Sequence, residues 1–325
     1  MQVEFRQVDW PFATAFRIAY QVSKVAETVQ VCLTDGPHVG RGEALGVSYH
    51  GETVSSMLAA LERVRSALAS GASREDLASL LPPGGARNAV DCALWDLESR
   101  KAGKRAWELA GFPALKRIAT DCTIGLDTPD AMARIAASLR NYPALKLKLD
   151  GGNDLERVLA VRSARPDAEL IVDANQAWTH GLLQDLMPRF AAAGVRLIDQ
   201  PLPAGEDDML LEYERTIPIC ADESCQTSDS LGELAGKYDY VNIKLDKTGG
   251  LTEALRLARE ALRQGFRLMI GCMGGSSLSM APALVVAQLC EFVDLDGPLL
   301  ATSDISPGIR YEGQWMSPPG RDLWG

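Results

Sequence analysis

The chain has 325 residues, 46% hydrophobic and 23% charged, and its 33 Lys and Arg against 43 Asp and Glu give a net charge of −10. This composition supplies a globular core and excludes a disordered or fibrous chain. The acidic balance disfavours nucleic acid and anionic membranes as partners, leaving a small molecule as the expected ligand.

Glu4, Arg6, Asp9 and Arg17 interrupt the first twenty residues, so no signal-peptide core is expected there. The longest uncharged stretch, Leu268 to Cys290, is broken by Gly274-Gly275-Ser276-Ser277, Pro282 and Gln288. It reads as strand, loop and helix rather than a membrane span, and the expected location is the cytoplasm. The 7 cysteines contain no CxxC pair and read as reduced, mostly buried thiols. The 3 histidines are scattered, so neither a histidine zinc site nor a histidine-based triad is expected.

Residues 1 to about 50 alternate polar and apolar in three runs, with Thr34-Asp35-Gly36-Pro37 as the second turn, which predicts an antiparallel sheet. Helical spacing follows over Thr53 to Ser70, Arg74 to Leu81 and Ala86 to Ala102; in the last, Val90, Ala93, Leu94 and Leu97 share one stripe. These elements predict an α+β domain over residues 1–114. From Ile118 short β-prone runs alternate with helices, the pattern of a parallel α/β fold. The runs are Ile118 to Gly125, Leu145 to Asp150, Leu170 to Asp173, Arg196 to Asp199, Ile217 to Ala221, Tyr240 to Lys244, Arg267 to Gly271 and Phe292 to Asp294. Eight strands can close a barrel over residues 115–296. Residues 297–325, with four prolines, Trp315 and Trp324, are expected to return and pack on the first domain.

A doubly wound open sheet shares this alternation. Against it, Gly40-Arg41-Gly42-Glu43 lies in the antiparallel region, where it cannot be a dinucleotide fingerprint. Polar or glycine residues also close strand after strand: Lys148, Asp173, Asp199, Asp222, Lys244, Gly271 and Asp294 recur roughly every 25 residues, which gathers them on one rim of a barrel.

In Lys146-Leu147-Lys148-Leu149-Asp150 the period of two puts both lysines on one strand face. An isolated KxK also suits a solvated edge strand. At the C-terminal end of a barrel strand the two lysines point into the mouth, where like charge and partial burial lower a lysine pKa toward about 7 to 8 and make it a usable base. Asp173, Asp199 and Asp222 end three consecutive strands. Each alone could cap the following helix. Together they repel unless a hard divalent ion, best Mg²⁺, binds between them. Lys244 ends the sixth strand, across the mouth from Lys148, whereas Lys247 reads as a surface residue. Asp294 and Asp296 flank Leu295; beside the mouth they can bind an ammonium group, and elsewhere they would be solvated loop residues.

Together these motifs resemble the enolase superfamily, muconate-lactonizing subgroup, and within it the dipeptide epimerases of the L-Ala-D/L-Glu type. The resemblance covers nearly the whole chain, from the helix Asn88-Ala89-Val90-Asp91-Cys92-Ala93-Leu94-Trp95-Asp96-Leu97 to Asp294-Leu295-Asp296, and includes Asp173 with Asn175, Asp199-Gln200-Pro201, Asp222-Glu223-Ser224 and Lys244 with Gly249-Gly250. It implies an α/β fold, a (β/α)7β TIM-like barrel with an N-terminal α+β capping domain. It further implies that Lys148 and Lys244 are the acid/base pair, Lys146 assists Lys148, Asp173, Asp199 and Asp222 hold Mg²⁺, and Asp294 with Asp296 binds the ammonium of a dipeptide.

The implied reaction is Mg²⁺-dependent epimerisation at the dipeptide's C-terminal residue by 1,1-proton transfer through a metal-stabilised enediolate. Asp199 departs from the family, which usually has glutamate there. Arg17, Lys24 and Arg41 are candidates to pair with a glutamate side chain of the substrate. The alternatives are N-succinylamino acid racemase, o-succinylbenzoate synthase, muconate cycloisomerase, and a non-catalytic binding barrel. A homo-oligomer is compatible with the sequence, and no motif selects one.

Overall fold

The computed structural model describes residues 1–325. The N-terminal sheet consists of β1 (Gln2–Ile18), β2 (Gln21–Asp35) and β3 (His38–Leu45), antiparallel and in that order. Its second turn falls at Gly36, whose φ of +58° is open to glycine without strain. Helix α1 (Val54–Ala69) starts where the Thr53 hydroxyl accepts the Ser56 N–H. It buries Met57, Leu61, Val64 and Leu68 against Val29, Val31 and Leu33 of the sheet. The helix expected over Arg74 to Leu81 shrinks to α2 (Leu77–Leu80), because Ser73 and Asp76 bond to each other at its start and Pro82-Pro83 follow its end.

Helix α3 (Gly85–Ala102) is buried nearly all round from Gly85 to Leu97, a wider face than the expected stripe. The cap sheet lies on one side and the barrel on the other. Toward the sheet, a Cβ added at Gly40 or Gly42 of β3 would stand 2.2 Å from the Ala93 carbonyl oxygen or 2.1 Å from that of Ala89. Toward the barrel, Asn88 Nδ2 donates to Asp246 Oδ1 at 2.9 Å, Arg87 donates to the Thr248 and Gly249 carbonyls, and Asp91 accepts from Thr252 N at 3.0 Å.

The run Ile118 to Gly125 is two strands, not one. β4 (Ile118–Ala119) pairs with the C-terminal hairpin through Trp315–Met316, and β5 (Cys122–Ile124) enters the barrel. The switch occurs where Thr120 N donates to Gln314 O and Asp121 N donates to Val293 O. Seven further strands run parallel to β5: β6 (Ala144–Lys148), β7 (Glu169–Asp173), β8 (Val195–Asp199), β9 (Ile219–Ala221), β10 (Tyr240–Ile243), β11 (Arg267–Ile270) and β12 (Phe292–Val293). The Asp121–Val293 bond, 2.8 Å, brings the two edges of this eight-stranded sheet together.

Two crossovers depart from the expected full helices. Between β8 and β9 only a 3₁₀ segment, Asp208–Glu212, is present, after Pro201, Pro203 and Gly205; between β9 and β10 the helix is a single turn, Leu231–Leu234.

Strand alternation places Ile171, Leu197, Cys220, Tyr240, Met269 and Phe292 together in one buried layer inside the barrel. Two residues further along each strand the inward positions are Asp173, Asp199, Asp222, Asn242, Gly271 and Asp294. The pairing of β7 with β8 slips between Leu170 and Ile171, opposite the exposed Arg196, and this bulge sets Leu197 and Asp199 on the inner face.

The C-terminal segment returns to α3, with Trp324 fully buried, its Nε1 donating to Cys92 O at 3.0 Å, and Gly325 N donating to Asp96 Oδ1 at 2.8 Å. No helix is long and apolar enough to cross a membrane.

Because β3 can approach α3 only without side chains at its glycines, Gly42→Ala is expected to lower stability by about 1–3 kcal/mol. Chemical denaturation of the variant against the parent chain measures this.

Candidate active site

The inward residues at the C-terminal ends of the strands form one polar cluster. Asp173, Asp199 and Asp222 are fully buried or nearly so, and each offers a carboxylate oxygen within 4.8 Å of the others. In-register pairing of Asp173 with Asp199 sets the first two side by side. Although aspartate is one methylene shorter than glutamate, Asp199 meets the other two.

Lys146 lies beneath them, fully buried, with Nζ 2.9 Å from Asp199 Oδ2, 2.9 Å from Asp294 Oδ2 and 3.1 Å from Asp173 Oδ2. Lys148 Nζ sits 2.6 Å from Asp173 Oδ2, and across the barrel Lys244 Nζ sits 2.7 Å from Asp222 Oδ2. Gly271 leaves room for this crossing, since a Cβ there would lie 3.0 Å from Lys244 Cε and 2.8 Å from Asn242 Oδ1.

At Lys146 these contacts reverse the expected direction of the pKa shift. Burial lowers that of Lys146, but Asp199, Asp294 and Asp173 outweigh it and hold the ammonium well above its usual range. For Lys244 burial also lowers the value, and Asp222 likewise outweighs it. At Lys146 and Lys244 repulsion between lysines is the smaller effect because both face carboxylates first. Among the aspartates, burial raises all three. Lys148 and Lys146 overcome it at Asp173, and Lys244 and Lys247 overcome it at Asp222, so both fall below the carboxylate range. At Asp199 burial prevails over Lys146 and the pKa rises.

Lys247 is not a surface residue. It is buried, with Nζ 2.6 Å from Asp222 Oδ1 and 2.8 Å from Asn242 O. Nor are Asp294 and Asp296 solvated. Asp294 Oδ1 accepts from Thr123 Oγ1 at 3.1 Å, and Asp296 Oδ2 accepts from Thr123 N at 2.7 Å. Burial and the neighbouring Asp294 push Asp296 up to about 7. Both line a cavity of about 60 Å³ with Lys148, Thr123, Phe12, Phe16 and Met273, so the β1–β2 hairpin roofs the mouth.

Of the basic residues considered for a substrate carboxylate, Arg41 is tied to the C-terminal segment through Asp322 O and Leu323 O, 2.7 Å for the latter. Arg17 and Lys24 are exposed and do not line this cavity.

Several neighbours escaped the sequence reading. Asn242 Nδ2 donates to Asp199 Oδ2 at 3.0 Å, and Asp121 and Thr123 supply the inner face of β5 and the residue before it. The period-two rule that found Lys146 from Lys148 would also have found Asn242, two residues before Lys244. Tyr20 and Tyr49 come from the cap, and no strand pattern points to them. Burial raises both phenols, and Glu223 raises Tyr20 and Asp222 raises Tyr49, so both stand within the field of this cluster.

The donor set fits a hard divalent cation. The carboxyls of Asp173, Asp199, Asp222, Glu223, Asp294 and Asp296 are all buried here against only Lys146, Lys148, Lys244 and Lys247. Asp199 Oδ1 and Glu223 Oε2 are buried without a donor. Buried anionic oxygen in excess of its countercharge is what Mg²⁺ compensates.

The comparisons agree with this architecture. Residues 1–111 match the family model described as mandelate racemase / muconate lactonizing enzyme, N-terminal domain, and residues 130–302 match the enolase C-terminal domain-like model. The chain therefore belongs to the enolase superfamily, in its mandelate racemase/muconate lactonizing branch. It is 43% identical over 304 residues to the L-Ala-D/L-Glu epimerase of Escherichia coli (strain K12), covering 93% of this chain and 95% of that protein. It is 44% identical over 250 residues to an N-acetyl-D-glutamate racemase of Pseudoalteromonas sp, covering 77% and 79%. Among solved structures it is similar to an enolase family member from Agrobacterium tumefaciens with homology to dipeptide epimerases, solved with sodium and L-Ala-L-Glu. Here the TM-score is 0.97 and the identity 44%, with 99% of each chain covered.

Removing one carboxylate from the triad is expected to weaken Mg²⁺ binding by about tenfold or more in Asp199→Ala, read by calorimetric titration of the metal.

Proposed function

We propose that the chain is a cytoplasmic, Mg²⁺-dependent isomerase that epimerises dipeptides at their C-terminal residue, with residues 1–114 as its cap and residues 115–296 as its catalytic barrel. The carrying observation is that Lys148 and Lys244, four strands apart in an eight-stranded barrel, each ion-pair a different aspartate of one triad. A lysine thus stands on either side of whatever the triad holds.

Asp173, Asp199 and Asp222 would hold Mg²⁺, which when bound supplies Lewis-acid stabilisation of charge on a substrate carboxylate. Removing an α-proton beside a carboxylate requires a base on one face. Restoring the opposite configuration requires an acid on the other. Lys148 and Lys244 exchange these roles with the direction of reaction. Lys146 is buried beneath both and acts by position and charge, holding Asp173, Asp199 and Asp294 where they are needed.

Asp294 and Asp296, which line one cavity with Lys148, accept the substrate's α-ammonium. This favours a free dipeptide over an N-acylated or dicarboxylate substrate, because two buried carboxyls beside an acyl group or a second carboxylate gain no countercharge. The hairpin that carries Phe12 and Phe16 excludes water above them. L-Ala-L-Glu, bound in the Agrobacterium relative, is the first substrate to try.

The test is solvent-deuterium exchange at the α-carbon, followed by proton NMR over a dipeptide panel with Mg²⁺. Exchange with epimerisation of dipeptides, abolished by a chelator and restored by Mg²⁺, is expected. Exchange confined to N-acetyl or N-succinyl amino acids would assign the site to an N-acylamino acid racemase instead.

A pH dependence follows from Asp296, which titrates near 7. As pH falls through that value the carboxylate takes a proton and loses its attraction for the ammonium. KM for the dipeptide is therefore expected to rise below about pH 7, and Asp296→Asn should lack this dependence. Steady-state kinetics between pH 6 and 8, roughly bracketing the transition, checks both.

A further inference from the structure

Asp121 lies outside every role assigned above. It precedes β5, faces the barrel interior beneath Thr123, and is 3% exposed. Its backbone N–H is spent on Val293 O, and neither carboxyl oxygen meets a donor.

The charges that act on it are those of Asp294 and Asp296 and of one cation, Lys146. That lysine is already divided among Asp199, Asp294 and Asp173. Thr123 is committed as well, its hydroxyl to Asp294 and its N–H to Asp296. A buried carboxylate with no donor, pressed against two others, would carry an uncompensated charge. A carboxylic acid in the same place has an O–H to give, and Asp294, which follows the Val293 that receives the Asp121 N–H and is bonded to Thr123 two residues on, is the carboxylate placed to accept it.

We propose that Asp121 is a neutral carboxylic acid and a positioning residue, its O–H donating to Asp294 and fixing that carboxylate for the substrate's ammonium group. Asp294 then receives Thr123, Lys146 and Asp121, which together occupy most of the four lone-pair directions of a carboxylate. The remaining direction is left to the ligand. The directions of titration agree: burial and Asp294 raise Asp121 well above the carboxylate range, while at Asp294 the effect of burial is overcome by Lys146 and Lys148.

The ligand in this proposal rests on the dipeptide reading, and the proton does not. Two measurements on the full-length, Mg²⁺-loaded protein therefore separate the two. The infrared difference spectrum of the parent minus Asp121→Asn at neutral pH should show the loss of a buried carboxylic acid C=O band, the bands of protonated Asp296 and Glu223 being common to both proteins. A difference spectrum that shows no such loss would overturn the proposal whatever the substrate is.

In steady-state kinetics, Asp121→Ala should raise the dipeptide KM by about tenfold, the scale of one hydrogen bond to a charged group, with kcat within about threefold. Asp121→Asn keeps an N–H donor and should restore KM to within about threefold of the parent. An unchanged KM in Asp121→Ala, or an Asn variant as impaired as the Ala variant while both melt like the parent, would also overturn it. Failure of the parent to exchange any dipeptide would count against the dipeptide reading alone, and the infrared band would still decide the state of Asp121.

Discussion

The mouth of the barrel buries more carboxyl groups than cations, and the arrangement of the site follows from that imbalance. Two like charges about 4 Å apart repel by about 4 kcal/mol at an effective dielectric of 20, against a total folding stability of about 5–15 kcal/mol. Such a cluster survives only if every carboxyl has a cation, a donor or a proton. Lys146 serves Asp173, Asp199 and Asp294, Lys148 serves Asp173, and Lys244 and Lys247 serve Asp222. What is left, chiefly the free oxygen of Asp199 and the raised carboxyl of Glu223, defines where a hard cation belongs. The groups that balance one another's charge are also those that the proposed chemistry at an α-carbon uses.

The same cluster depends on the cap. Helix α3 is clamped between the glycine faces of β3 and the segment that follows Lys244. Gly249 and Gly250 permit this approach: both have positive φ, and a Cβ at either would stand within 2.4 Å of Arg87 or Asp91 atoms. The glycine pair is thus a packing requirement that places Lys244, rather than a group that meets substrate. From the other side Leu45 N donates to Asp246 Oδ1, and Glu43 accepts from Ser276 N, so the end of β3 is tied to two rim loops.

Much of this was legible in the sequence because the barrel repeats. A strand period of two and a unit of roughly 25 residues place Lys148, Asp173, Asp199, Asp222, Lys244 and Asp294 on one rim without any knowledge of contacts. Contact-dependent properties were not legible. Lys247 sits on a helical turn with ordinary spacing, and only the fold turns it beneath Asp222. Lys146 and Lys148 were expected to depress one another, yet Lys146 meets Asp199 and Asp294, carboxylates distant in sequence. Ile118 to Gly125 reads as one β-prone run because propensity is blind to the change of partner at Thr120. The cap tyrosines come from a hairpin and a 3₁₀ turn, which carry no motif.

The central claim is that two lysines serve opposite faces of one bound α-carbon. It is tested most directly by solvent-deuterium incorporation into each epimer separately, using Lys148→Ala and Lys244→Ala. Each variant is predicted to lose exchange with one epimer and retain it with the other, with the two variants selecting opposite epimers. Exchange of both epimers at parental rates by either variant would contradict the account.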